Sequence, residues 1–108
     1  MLTDATWETF CGSGKKTIKQ AVLKPDENGW KRKAVLMPQG TDFIVEKTSC
    51  VYFIEIYTGR GLYQIDDKII YFYGGKKVRI PSGTWFGIIE TFTEVLWVIS
   101  YAPTLQLT

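Results

Sequence analysis

The chain has 108 residues, 45% of them hydrophobic and 15% aromatic, and its formal net charge is +2. This composition is typical of one globular domain over residues 1–108 and argues against a disordered chain. With thirteen basic and eleven acidic residues, the chain lacks the strong basic excess that is typical of nucleic-acid-binding proteins. No apolar stretch approaches the roughly 20 residues of a membrane-spanning helix, and the first residues lack the features of a signal peptide. We therefore expect a cytoplasmic protein that binds neither nucleic acid nor membrane.

Short apolar runs bounded by Gly, Pro or acidic turn residues predict an all-β chain. The first two strands, at 17–23 and 30–37, flank Asn28-Gly29, the dipeptide that most favours a tight hairpin. Only the N-terminal residues leave room for a single helical turn. The remaining strands are expected at 42–48, 50–57, 62–65, 68–73, 77–80, 84–90 and 94–101. Many short strands at a spacing of about ten residues predict a sandwich or a barrel.

Two further features of the sequence are interpreted without a chemical role. Cys11 and Cys50 are not in metal-ligand spacing, and in a reducing compartment we expect them to be free thiols. The segment 11–17 resembles a phosphate-binding loop, but position 9 is Thr rather than Gly, and Thr17 comes one residue late. Because this segment also leads into a predicted strand, we interpret it as a flexible basic turn.

Two glycine-bounded stretches carry a recognisable spacing. Gly75 to Gly83 follows the pattern G-x5-P-x-G, and Gly40 and Gly59 bound the pattern G-x5-E-x-T-x3-Y-x6-G. Together these stretches resemble the two motifs of the cupin family, at residues 40–59 and 75–90. The resemblance implies a cupin-like jelly-roll β-barrel. In that family the motifs supply three histidines and a glutamate to a metal, and an asparagine ends the second motif.

None of those ligands is present, since the chain contains no histidine. The resemblance places Glu46 and Thr48 at the first two histidine positions, Tyr52 at the glutamate, Phe86 at the third histidine and Glu90 at the asparagine. It therefore implies a barrel without a metal or other cofactor. Alternation along the strands predicts that these residues face the interior together with Ile54, Ile56 and Ile88.

Three functions are compatible with such an interior. The first is a pocket for a small polar molecule, with Thr48, Phe86, Ile54, Ile88 and Arg79 as ligand-binding residues. The second is a sugar isomerase or epimerase, with Glu46, Tyr52 and Glu90 as catalytic acid–base groups. The third is a protein-interaction or structural barrel whose interior is filled by side chains.

The outward positions predict how copies of the chain associate. By alternation Phe53 and Tyr57 face outward, either as a homodimer interface or packed under the N-terminal strands. We favour a homodimer. Trp85 and Trp97 are predicted to lie in the core and Trp30 near a rim. The basic runs 31–33 and 76–77 are expected on solvated faces, with phosphate binding as the alternative.

Overall fold

The computed structural model describes residues 7–11, 17–42 and 45–102, with side chains described from residue 17 onward. All regular structure in these ranges is β. The strands, in chain order, are β1 (Trp7–Cys11), β2 (Thr17–Leu23), β3 (Lys31–Met37), β4 (Glu46–Lys47), β5 (Tyr52–Thr58), β6 (Arg60–Ile65), β7 (Lys68–Tyr73), β8 (Lys77–Ile80), β9 (Trp85–Thr91) and β10 (Val95–Tyr101).

The strands form two sheets that pack face to face. One has six strands in the order β1-β2-β3-β10-β5-β8, and the other has four in the order β4-β9-β6-β7. Chain neighbours such as β3 and β4, or β8 and β9, belong to different sheets, so the chain crosses repeatedly between them. This antiparallel two-sheet arrangement is a jelly roll, as predicted.

The strand positions follow the sequence-based prediction closely. Strands β2, β7 and β8 have the predicted bounds, and most of the others differ by one or two residues. Two differences stand out: β1 is a strand where a helical turn was allowed, and only Glu46–Lys47 of the predicted strand 42–48 is extended among the described residues. No helix in the described ranges is long and apolar enough to cross a membrane.

The motif glycines have a backbone role. Gly40, Gly59, Gly75 and Gly83 all have positive φ, between 77° and 97°. L-residues with a side chain rarely adopt this conformation, which turns the chain between strands. The cupin-like spacing therefore marks the turns of the barrel, and these turns do not depend on the metal ligands that usually accompany them.

The core lies between the two sheets. Its buried members are Ile18, Val35, Met37, Ile54, Ile56, Tyr63, Phe72, Ile80, Ile88, Val95 and Trp97. One end of the barrel is closed by the loop after β3, where the hydroxyls of Thr41 and Thr91 both donate to the Pro38 carbonyl, at 2.6 and 2.7 Å. These bonds satisfy two polar side chains that are fully buried. The closed end leaves the opposite end as the place for a site.

Candidate functional site

The candidate site is the other end of the barrel, where β5 and β9 begin and β6, β8 and β10 end; we call it the mouth. Hydrophobic residues here are half-buried and pack against the core: Tyr52, Ile65, Ile70, Val78, Phe86 and Ile99. Cross-strand pairing places Tyr52 beside Tyr101 of β10 and Ile80 of β8. The mouth is thus an apolar surface that solvent reaches from one side.

Four aromatic rings fill the centre of the barrel below the mouth. Tyr63 contacts Phe86 and Phe72 with ring centroids 5.9 and 6.2 Å apart, and Trp97 contacts Phe72 and Phe86 at 6.2 and 6.5 Å. These four contacts close a cycle of tilted rings, which is a favourable aromatic arrangement. Phe86 is therefore part of the packed core floor. It lies inside, as predicted, but as a packing residue.

Tyr52 is a half-buried residue of the mouth that carries a polar group. Burial raises the pKa of Tyr52, and the hydrogen bond to the Cys50 thiol raises it further, while a hydrogen bond to Ser49 lowers it. The Tyr52 and Tyr101 rings lie 5.7 Å apart. With this raised pKa the hydroxyl is protonated at neutral pH, and its hydrogen bonds to Cys50 and Ser49 fix its orientation.

Glu46 lies at the rim of the mouth. Its Cα pairs with that of Phe86, and paired residues share a face of the sheet, so Glu46 is on the interior face of β4. The side chain is nevertheless exposed. The predicted buried carboxylate is therefore a solvated one, and its charge needs no buried partner.

Thr48 was expected to contact a ligand, and the structure gives it a different role. Its hydroxyl donates to the Pro81 carbonyl at 2.8 Å and accepts from the Thr84 amide at 3.1 Å. Both bonds run to the turn of the second motif. Thr48 therefore ties the two motifs together, and its hydroxyl is already engaged on both sides.

The prediction that Glu90 faces the interior is wrong, and a β-bulge is the reason. On β6, Leu62 pairs with Glu90 but Tyr63 pairs with Ile88, so the register skips Ile89. An extra residue reverses the alternation from that point. Ile88 stays inside, as predicted, Thr91 becomes buried, and Glu90 is exposed on the outer face.

Arg79 also lies on the wrong face for the role predicted from the sequence. It pairs with Phe53, and both side chains are exposed on the outside of the six-stranded sheet. Its neighbours Val78 and Ile80 face inward instead, opposite Ile54 and Tyr52. Ile54 is buried in the core, as expected from alternation. The catalytic trio Glu46, Tyr52 and Glu90 is consequently not brought together.

The tryptophans divide between core and surface. Trp97 is buried, as predicted, but Trp85 is 51% exposed, because it alternates with the inward-facing Phe86. Trp30 packs on Phe53 outside the barrel, with ring centroids 5.3 Å apart. The phosphate-loop-like segment joins two antiparallel strands, β1 and β2, although residues 12–16 lie outside the described residues.

Sequence reasoning missed two lysines at the mouth. Lys31 pairs with Tyr101 and Lys33 with Ile99, so both share the interior face of β3 with Val35. The run 31–33 was expected on a solvated face: Lys31 is exposed, whereas Arg32 and Lys33 are half-buried on opposite faces of the strand. Alternation with the buried Val35 and Met37 was the signal that could have identified the two lysines.

The residues at the ligand positions do not fit a metal. Phe86 offers no donor atom, and the Thr48 hydroxyl is bound to backbone groups on both sides. Among the described side chains, no group of three or more His, Cys, Asp or Glu could hold a metal ion. We therefore assign no chemistry to a metal at this site.

Comparison with known proteins agrees with the fold. No protein-family model and no curated protein matches the sequence. A predicted oxalate decarboxylase from Thermotoga maritima has a similar structure, with a TM-score of 0.81 at 19% identity, covering 96% of this chain and 97% of that one.

Two further structures are equally similar. A cupin 2 conserved barrel domain protein from Rhodopseudomonas palustris has a TM-score of 0.81 at 15% identity, over 96% of this chain and 75% of that one. An RmlC-like cupin from Shewanella frigidimarina has the same TM-score at 13% identity, over 98% and 90% of the two chains. These likenesses show that the barrel has the cupin fold.

Proposed function

From a chain with the cupin fold whose mouth lacks a fitting metal-ligand set, we propose a metal-free, cytoplasmic protein that binds a small polar molecule at the mouth. The observation that carries this proposal is Tyr52, a half-buried residue with a polar group that packs against the apolar core at the mouth. A concave apolar surface with a few convergent polar groups is the usual form of a small-molecule site.

The ring cluster sets the depth of the site. Because Tyr63, Phe72, Phe86 and Trp97 pack against one another, a ligand would lie above them. There it would contact Phe86 and Ile99, with Tyr52 to one side and Glu46 at the rim. The apolar floor would bind the body of the ligand, and the rim would hydrogen-bond its polar groups.

An isomerase- or epimerase-type enzyme is the alternative, and it now depends on two groups. With Glu90 outside, Glu46 would be the base and Tyr52 the acid. The raised pKa of Tyr52 keeps the phenol protonated near neutral pH but also makes it a weaker acid, so the acid role rests on its position at the mouth. If the protein is such an enzyme, Tyr52→Phe should abolish turnover while leaving ligand affinity within about threefold.

The binding proposal is tested by a thermal-shift screen over sugars, nucleotide sugars, amines and small acids. A bound compound raises the melting temperature by mass action. We expect Glu46→Gln to abolish that shift, since the carboxylate would accept hydrogen bonds from the ligand. Glu90→Gln is the matched control, because it makes the same change on the outer face. Equal loss of the shift in both variants would contradict the assignment of the mouth.

A protein-interaction module remains the third possibility, and exposed apolar residues favour it. Phe53 and Tyr57 are each 42% exposed on the six-stranded sheet. Such residues commonly mark contact surfaces when they occur together. We propose that this face forms a homodimer, which is compatible with ligand binding at the mouth.

A further inference from the structure

The two lysines at the mouth indicate what kind of molecule binds there. On β10, Trp97 belongs to the buried core and Ile99 packs against it. Lys33 pairs with Ile99, and Lys31 pairs with Tyr101 one step nearer the end of the barrel. Since paired residues share a face, both ammonium groups belong to the interior face of β3, while Arg32 belongs to the outer one.

Lys33 is the more enclosed of the two cations. Its side chain is half-buried, whereas that of Lys31 is exposed. Within the part of the chain that the structure describes, Lys33 makes no ion pair. Because the Lys33 side chain is half-buried and its residue pairs with Ile99, water screens its attraction to a bound anion less than at a fully exposed lysine.

The core below the mouth also contains a hydrogen-bond donor, the Trp97 indole Nε1, without an acceptor among the described groups. Trp97 is only 5% exposed. An unsatisfied buried donor destabilises the folded protein, so a ligand that supplies an acceptor is favoured. Lys33 and the Trp97 indole are therefore two donors of the barrel interior without a partner among the described groups.

We propose that the mouth binds an organic carboxylate with an apolar body, and that Lys33 is its counter-ion. This rests on the proposed function and specifies its ligand class. The carboxylate matches the Lys33 ammonium, and the apolar body covers Ile99, Phe86 and Ile65. Inorganic phosphate carries the negative charge but has no apolar body, so we expect it to bind weakly.

Calorimetric titration of the full chain tests this proposal with matched probes. Hexanoate and phenylacetate are each compared with their neutral amides, and acetate and inorganic phosphate serve as anions without a large apolar body. We expect each larger carboxylate to bind about tenfold or more tightly than its amide, since a hydrogen bond to a charged group is stronger than one to a neutral group. Acetate and phosphate should bind at least about tenfold more weakly than hexanoate, by the loss of apolar contact.

Variants of β3 then assign the counter-ion. Lys33→Met should abolish the preference for carboxylate over amide, and Lys33→Arg should retain it. Arg32→Met removes a charge from the outer face of the same strand and should change affinity less than twofold. Melting temperatures close to that of the parent chain show that each variant is folded.

Several results would overturn the proposal. Equal affinity for amide and carboxylate would contradict the ligand class, as would phosphate binding as tightly as hexanoate. An unchanged preference in Lys33→Met would contradict the counter-ion. If amines or sugars raise the melting temperature through Glu46 while carboxylates do not bind, the carboxylate inference fails and the proposed small-molecule function stands. If neither these probes nor the wider screen produce binding, both fail.

Discussion

At the scale of single residues, two side chains at the positions of the expected metal ligands pack or form hydrogen bonds within the barrel instead. Phe86 occupies a position that the cupin resemblance assigns to a histidine, and its ring packs on Tyr63 and Trp97. Thr48 occupies another and holds the turn of the second motif through two hydrogen bonds. Both residues stabilise the barrel, which leaves Glu46 and Tyr52 as the predicted site residues with polar groups at the mouth.

Tyr63 makes the aromatic floor sensitive to alkaline pH. Burial raises its pKa in the folded protein, so the unfolded chain releases the phenolic proton at lower pH than the folded one. The free energy of unfolding that depends on a neutral Tyr63 is fully present below about pH 10, and it is lost as the pH rises through the folded-state pKa of Tyr63. We predict that the melting temperature falls above about pH 10, and that Tyr63→Phe makes the fall shallower.

Thermal unfolding followed by circular dichroism over this alkaline range measures the effect. Tyr71→Phe, which removes a hydroxyl from an exposed face of β7, should follow the parent curve. A Tyr63→Phe curve parallel to that of the parent would show that deprotonation of the buried phenol does not govern the alkaline loss.

At the scale of strands and turns, turn residues in the sequence predicted where most strands begin and end. The faces of the side chains depend in addition on two β-bulges. The bulge at Ile89 turns Glu90 outward, and a second register shift occurs opposite Leu96 and Trp97, where Tyr57 is skipped. A bulge depends on how two strands pair, so alternation read along one strand does not reveal it. Strand bounds, by contrast, follow from turn residues that are adjacent in sequence.

The turns provide a matched test of steric crowding. Gly59 and Gly75 have similar φ values, 97° and 92°, so an alanine at either position incurs a comparable conformational cost. A Cβ at Gly75 would meet nothing within 4 Å, whereas one at Gly59 would collide with the Glu94 carbonyl and with Val95. Gly59→Ala should therefore lower the free energy of unfolding by about 1–3 kcal/mol more than Gly75→Ala.

Urea unfolding of the two variants compares these energies directly. Equal destabilisation would mean that the connection between β5 and β6 shifts enough to accommodate the methyl group, and that conformation alone determines the cost at both turns.

At the scale of the whole molecule, two exposed apolar surfaces compete as contact faces. The first is formed by Phe53 and Tyr57 on the six-stranded sheet. The second lies on β7, at the edge of the four-stranded sheet, where Ile69, Tyr71 and Tyr73 are 60%, 46% and 52% exposed. The Lys76 ammonium donates to the Tyr71 carbonyl at 3.2 Å, which occupies part of that strand edge. A lysine placed there discourages edge pairing with another chain, so we favour the first surface for a dimer.

Light scattering coupled to size-exclusion chromatography tests this choice. We predict that the parent chain elutes with the mass of a dimer and that Phe53→Asp shifts it to that of a monomer, because a carboxylate would be buried in the interface. Tyr71→Asp is the control on the second surface and should leave the mass unchanged. A dimer that survives the first change and dissociates with the second would assign the interface to β7.

The sequence alone determined the class of fold, the order of the strands and the turns between them, because turn residues and alternating apolar residues act over a few positions. It also identified Glu46, Tyr52 and Phe86 as residues of the barrel interior. The orientations of Glu90 and Arg79, the hydrogen bonds of Thr48 and the pairing of Lys33 with Ile99 at the mouth were decided only by the tertiary structure. Each depends on a bulge, a register or a contact between distant strands, and such features arise when the two sheets pair and pack.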